Sequence, residues 1–456
     1  MALKKTFGRI SSSIAAANAG VQGRKPTTRK INSNASTETI QVIPEYLKIK
    51  SLLREGCSIV LVTGGAGTGK STFIRWIENE YAGKVLLCAP TGIAALTIGG
   101  KTLHSLCGFP PSWIVDKDIR FRPQSVAAKA ELLDIDEISM VNANLLDAVS
   151  EFFKLNRKST KPFGGVQLVV VGDLFQLPPV VTGETLRLFK REYDTPKFFS
   201  AHSLRDSDFA TVELTKPFRQ KNTEFFRILA NIREGNQLSV TLDALNSSCE
   251  VTEQPPDGAV WLCPRNAQVN EVNSSRLNEL PGKAKLYTGI LEGQFKEDRL
   301  PALSVLELKV GAQVVMTKNA ADWVNGSIAF VTEVETDKIK VRLLEANKIV
   351  EVHMATWEQY DYVINESTDE IERIVVGTFK QIPAILAWAM TIHKSQGLTL
   401  DAVHLDLGAG AFASGQTYVA LSRVRTIDQL TFSKAIRVED VRVDQDSSFF
   451  YKSIRE

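Results

Sequence analysis

The segment Gly64-Gly65-Ala66-Gly67-Thr68-Gly69-Lys70-Ser71-Thr72 follows the apolar run SIVLVT and opens the helix-like stretch TFIRWIENE. Glycines at such a turn let backbone N–H groups wrap phosphates, and the helix N-terminus adds partial positive charge. The segment therefore reads as a P-loop for a nucleoside triphosphate, taken to be ATP. Lys70 would reach the β- and γ-phosphates, and the Ser71 hydroxyl would ligate Mg2+. About 65 residues further on, LLDIDE (132–137) ends an apolar run in two carboxylates. Asp136 suits the magnesium shell, and Glu137 suits orienting and deprotonating an attacking water. GDLFQ (172–176) closes another run and places Gln176 to touch the γ-phosphate or its water, although a polar residue there is equally a turn former. A P-loop ATPase also needs positive charge at the transferring phosphoryl beyond one lysine. Arg219 in ELTKPFRQ and Arg423 in QTYVALSR are the candidates, each of which alone would read as a solvated surface residue.

These side chains need a scaffold, and from residue 40 onward short apolar runs alternate with helix-period segments, as in parallel sheets with crossover helices. SIVLVTGG, KVLLCAP, LLDIDE and QLVVVGD read as one set of strands; ATVELT, AVWLCP, AILAWAM and AVHLDL read as a second. Between them AQVVMT, SIAFVTEV, KIKVRLL and IERIVVGTF are β-rich pieces separated by polar turns. The expected class is α/β, with two P-loop-type cores of parallel sheet flanked by helices. The expected organisation is a basic, disordered N-terminal arm at 1–40 and a first core at 41–204. A second core at 205–299 and 379–456 is interrupted by a small β domain at 300–378.

Composition narrows the class further. The chain has 456 residues, 44% hydrophobic and 23% charged, which excludes a fibrous repeat and a wholly disordered chain. Charged or polar residues interrupt every apolar run well before the roughly 18 needed to cross a bilayer, so no membrane role is expected. The five cysteines form no C-x-x-C pair, which suggests neither a disulfide framework nor a zinc site and points to a reducing, intracellular setting. Residues 1–37 carry seven Lys/Arg and no acid, so the formal charge of +2 leaves −5 on the remainder. Nucleic-acid binding must then come from a local groove rather than from overall charge. The basic segment fits a disordered arm or an organelle presequence. The first places the chain in cytoplasm or nucleoid, the second in mitochondrion or nucleus.

Six segments in order carry a resemblance that spacing alone does not give: APTGIAALTIGGKTLHSLCGFP (89–110), DEISMV (136–141), GDLFQLPPV (172–180), ELTKPFRQ (213–220), WAMTIHKSQGLTL (388–400) and GQTYVALSRVR (415–425). Together they resemble the Pif (petite integration frequency) family of DNA helicases, in the 5′-to-3′ branch of helicase superfamily one, over about residues 55–430. The resemblance implies two RecA-like cores that clamp one ATP and step along single-stranded DNA. It implies an ATPase site of Lys70, Ser71, Asp136, Glu137, Gln176, Arg219 and Arg423. It implies that Thr91, Thr102, His104, Thr391, His393, Lys394 and Ser395 line the DNA path or couple it to ATP. The β domain then corresponds to a small β-barrel of the second core. An insertion at about 107–128, opened by Phe109, Pro110 and Pro111, corresponds to a strand-separating wedge. Partners implied are single-stranded DNA and duplex junctions, with a monomer as the working unit and dimerisation on DNA left open. The family usually carries a glutamine upstream of the P-loop that reads adenine; here that segment offers Gln41, out of frame.

Other classes remain open at this level. An RNA-directed or dual-substrate helicase fits a groove that tracks a backbone. A small-molecule P-loop phosphotransferase would not need the second arginine set or IHKSQG, and a nonmotor ATP-gated binding protein is the remaining class.

Overall fold

The computed structural model describes residues 40–455 except 182, 206, 219–222, 296–299 and 409. The N-terminal arm up to residue 39 and Arg219 lie outside the described residues.

Strands β1 (Ile59–Gly64), β2 (Val85–Ala89), β3 (Lys101–Thr102), β4 (Leu132–Ile135), β5 (Gln167–Gly172) and β6 (Phe209–Leu214) form a sheet ordered β3-β2-β4-β5-β1-β6. All neighbours are parallel. A parallel sheet is covered on both faces, which is why its strands read as continuous apolar runs. Ile59, Leu61, Leu133 and Leu168 pack on one side with Phe152 of the helix Ala143–Arg157. Val60, Val62, Leu87 and Val169 pack on the other with Phe73, Trp76 and Ile77 of the helix Lys70–Glu80.

ATVELT is a strand of this first sheet, not of the second. It pairs with β1 from Ile59↔Phe209 to Gly64↔Leu214. Gly64 permits the approach: a Cβ there would stand 2.6 Å from the Leu214 carbonyl oxygen. The first sheet therefore extends past the expected boundary at 204. The C-terminal segment also departs from the expected second core, because Tyr451 of the helix Gln445–Ser453 is buried in the first core's apolar layer. Its ring meets Phe175 edge-on at 5.0 Å.

The second parallel sheet begins with β7 (Glu250–Val251) and β8 (Val260–Cys263). The inserted strands follow: β9 (Lys285–Thr288), β10 (Ile290–Gly293), β11 (Val305–Leu308), β12 (Gln313–Met316), β13 (Ile328–Val334), β14 (Lys338–Leu343), β15 (Ile349–His353), β16 (Ala355–Ile364), β17 (Ile371–Gln381) and β18 (Ala384–Leu386). The chain then completes the second sheet with β19 (Ala389–Thr391), β20 (Val403–Leu405) and β21 (Leu430–Phe432), in the order β19-β8-β20-β21-β7. AILAWAM is thus two strands rather than one. Its first half, β18, pairs antiparallel with β12 in the five-stranded sheet β15-β14-β13-β12-β18, and its second half, β19, lies parallel to β8. The β-rich insertion runs from Lys285 to Leu386, wider than 300–378, because β9 and β10 supply partners to β11 and β17.

The hairpin β16–β17 docks on the open edge of the first sheet. Strand β3 covers only Cys88 and Ala89 of β2, and the Tyr362 hydroxyl serves Leu87 instead, accepting its N–H at 3.0 Å and donating to its carbonyl at 3.3 Å. Arg373 donates to the Gly99 carbonyl at 2.7 Å and pairs with Glu78 at 3.1 Å.

Candidate active site

The cleft between the two sheets is lined by residues 66–72, Glu137, Gln176 and Phe218 on one side, and by Gly397 and Arg423 on the other. The helix Lys70–Glu80 starts at Gly69, whose φ of 94° is the left-handed region open to glycine. The Lys70 ammonium donates to the Gly64 and Gly65 carbonyls at 2.7 and 2.8 Å. Burial lowers its pKa, while Asp173, Glu137 and Asp136 pull it back. The Tyr46 hydroxyl donates to the Gly69 carbonyl at 2.9 Å and braces the turn from the upstream helix Pro44–Arg54. Gln41 is exposed, outside that helix.

Asp136 and Glu137 leave the end of β4. Glu137 has φ 50° and ψ 44°, a conformation that strains a non-glycine residue and turns its carboxylate into the cleft. Burial, with the neighbouring Glu137 charge, pushes Asp136 up to about 7. Burial also raises Glu137, against Lys70 and Arg423, which lower it. A carboxylate pair and a serine hydroxyl at a helix N-terminus, with Glu137 and Ser71 lining the same cleft, are a donor set suited to a hard divalent cation. Ser71 is exposed beside it. The residues present fit Mg2+.

Contacts across the cleft come from residues the motifs did not single out. The Gln396 amide donates to Glu137 Oε2 at 3.3 Å and to Gln176 Oε1 at 3.1 Å, so one second-core side chain bridges two first-core candidates. The Tyr418 hydroxyl donates to Asp173 Oδ2 at 2.7 Å and accepts the Ala66 N–H of the P-loop at 2.8 Å. Asp173 Oδ1 accepts from Arg233 Nε at 2.9 Å, and the guanidinium lies over both Phe175 and Tyr451. Burial alone would raise Asp173, but Arg233, Lys70 and the Tyr418 hydroxyl hold it below the usual carboxylate range. Arg423 is buried at the cleft wall, with its guanidinium donating to the Val419, Ser395 and Leu398 carbonyls.

The chain is 34% identical to Danio rerio "ATP-dependent DNA helicase PIF1" over 421 residues, covering 87% of this chain and 61% of that protein. Bdellovibrio bacteriovorus "ATP-dependent DNA helicase Pif1" is 32% identical, with 85% of this chain and 86% of that protein covered. A model described as PIF1-like helicase matches residues 40–241. The chain belongs to the PIF1-like helicase family. It spans about three fifths of the length of the vertebrate relatives, 64% for the Homo sapiens protein. The fold agrees: Bacteroides sp Pif1 in complex with ADP-AlF4 superposes with a TM-score of 0.84 at 34% identity, covering 91% of this chain and 97% of that one. Bacteroides Pif1 bound to ssDNA gives 0.65. The two parallel sheets are thus RecA-like cores.

In this PIF1-like chain the residues expected along the DNA path divide in two. His393 is half-buried and Lys394 exposed, both just beyond β19, and His104 is half-buried beyond β3. The hydroxyls are spent locally. Thr91 Oγ1 caps the helix Gly92–Thr97 by accepting from Ala94 N, and Thr102 Oγ1 caps Leu103–Cys107 through Ser105 N. Buried Thr391 accepts from Lys394 N, and buried Ser395 donates to the Ile392 carbonyl at 2.8 Å. Thr102, Thr391 and Ser395 are buried and hold their own turns rather than reaching outward. Phe109 is a correction: it is a core residue, edge-on to Phe152 at 6.1 Å. Pro110 is half-buried, and the exposed positions of the insertion include Pro111, Ser112 and Phe121.

Proposed function

We propose that the chain is an ATP-dependent DNA helicase that moves 5′ to 3′ on single-stranded DNA and opens duplex junctions, hydrolysing ATP between its two cores. The observation that carries this reading is the Gln396 bridge. The segment holding His393 and Lys394 on its outer side holds Glu137 and Gln176 on its inner side.

The P-loop amides and Lys70 bind and orient the phosphates, with Lys70 exchanging its carbonyl partners for phosphate oxygens. Ser71 and Asp136 would hold Mg2+, which would neutralise phosphate charge. Glu137 takes the proton of the attacking water, and Gln176 holds that water in line. Arg423 meets charge on the transferring phosphoryl, and Arg219 supplies the second positive group. Phosphate contacts from Lys394 and the exposed ends of the turns track a backbone without reading bases. The relatives act as named on DNA, and an intracellular protein working as a monomer follows from the same reading.

The test is steady-state ATP hydrolysis with single-stranded DNA, with RNA and with no polymer. Strong stimulation by DNA alone is expected. Equal stimulation by RNA would make the substrate class dual, and hydrolysis indifferent to polymer would remove the motor reading.

A further inference from the structure

We propose that Phe412 is a nucleobase-stacking residue on the second core, acting with His393 and Lys394 to hold unpaired bases of the strand. The inference rests on the strand-path reading above and names a contact within it.

Phe412 is 52% exposed, yet its loop is braced. The Gln416 side-chain oxygen accepts the Phe412 N–H at 2.9 Å and the Ala413 N–H at 3.1 Å, and Gln416 is itself buried. At the loop's end the Gly415 N–H donates to the Arg442 carbonyl at 2.9 Å, and a Cβ on Gly415 would stand 2.5 Å from the Phe175 carbonyl oxygen. The backbone is therefore fixed while the ring is left in solvent. The ring lies nearly parallel to the His393 imidazole, 17° between planes and 6.3 Å between centres. Burial lowers the His393 pKa, which favours the neutral imidazole.

Placement supports the same reading. Phe412 lies in the segment after β20 and His393 follows β19, the two parallel strands on either side of β8, so both lie beyond the C-terminal ends of strands at the same edge of the sheet. That edge is where open α/β sheets bind ligands. Exposed Lys394 beside the pair supplies a phosphate contact, and an exposed aromatic face with an adjacent cation is the pairing that holds single-stranded nucleic acid. Stacking is tolerant of sequence and carries no counterions, so this contact adds affinity without base preference and without salt dependence.

The test measures binding of the full chain to a labelled oligothymidylate and to an abasic oligomer of equal length, across a salt series, by fluorescence anisotropy. Phe412→Ala should weaken thymidylate binding about tenfold with an unchanged salt slope, and should leave abasic binding within about twofold. Phe412→Trp should restore thymidylate affinity. Lys394→Ala should weaken both oligomers and lower the salt slope by about one. If Phe412→Ala loses equally on both oligomers, or loses nothing while Lys394→Ala weakens binding, stacking is wrong and the strand path stands. If the parent fails to bind either oligomer, both readings fall.

Discussion

Glu137 is held between two demands: a left-handed backbone that aims it and a carboxamide from the opposite core that steadies it. Glu137→Gln keeps the size and removes the base, so ATP should still bind while DNA-stimulated hydrolysis falls by about 100-fold or more. Isothermal titration with a nonhydrolysable nucleotide and a turnover assay together check this; loss of binding would make the residue a structural or metal ligand. Arg423→Ala should lower turnover by about 1000-fold with nucleotide binding kept. That Lys70, Glu137 and Gln176 would meet in one cleft was legible in the sequence, because each follows a strand inside a short local pattern. Gln396 and Tyr418 were not, because their partners lie 220 to 352 positions away and no spacing rule links them. Thr91 and Thr102 show the opposite limit: a hydroxyl at a turn suits a phosphate and a helix cap equally, and here it caps. Phe109 was misread because an aromatic beside prolines suits both a wedge and a core, and only burial separates them.

At the scale of elements, apolar runs announced nearly every long strand, but not which sheet each joins. ATVELT and AILAWAM are equally apolar on any edge; pairing partners decide, and Gly64 is the local device that brings Leu214 alongside. Strand β4 carries an exception to its apolar pattern. Asp134 is fully buried in the middle of the sheet, and neither carboxylate oxygen has a hydrogen-bond partner among the described residues. Burial, reinforced by Asp136 and Glu78, holds its pKa well above the usual carboxylate range, so the folded chain carries the neutral acid. Asp134→Val removes the unpaired polar group at similar volume and should stabilise the chain by about 1–3 kcal/mol, read as a higher urea midpoint at unchanged slope. A lower midpoint would mean that the carboxyl is satisfied in solution.

The whole molecule is stitched across its two cores. Tyr451 returns from the C-terminal helix to the first core, and Tyr362 reaches back from the insertion to cap an open sheet edge. Sequence reading divided the chain at linker-like positions and missed both returns, since a long connection leaves no periodic trace. The arrangement matches Bacteroides Pif1 with ADP-AlF4 or unliganded, TM-scores 0.84 and 0.83, more closely than the ssDNA-bound form at 0.65. The seven positive charges of residues 1–37 belong to this scale too. Deleting that segment should leave turnover at saturating DNA nearly unchanged but weaken DNA binding at low salt, with a smaller salt slope. A titration at two ionic strengths checks it.

The proposed function couples hydrolysis to directional movement: if the segment of His393 and Lys394 lies on the strand path, its Gln396 bridge ties that path to the nucleotide cleft, and binding at one favours the other. Its direct measurement is strand displacement from two partial duplexes identical except for a 5′ or a 3′ single-stranded tail, with ATP and Mg2+ present. Displacement from the 5′-tailed duplex, abolished in Glu137→Gln, is the expected result. Displacement preferring the 3′ tail would contradict the polarity, and ATP turnover with no displacement from either duplex would contradict the helicase assignment.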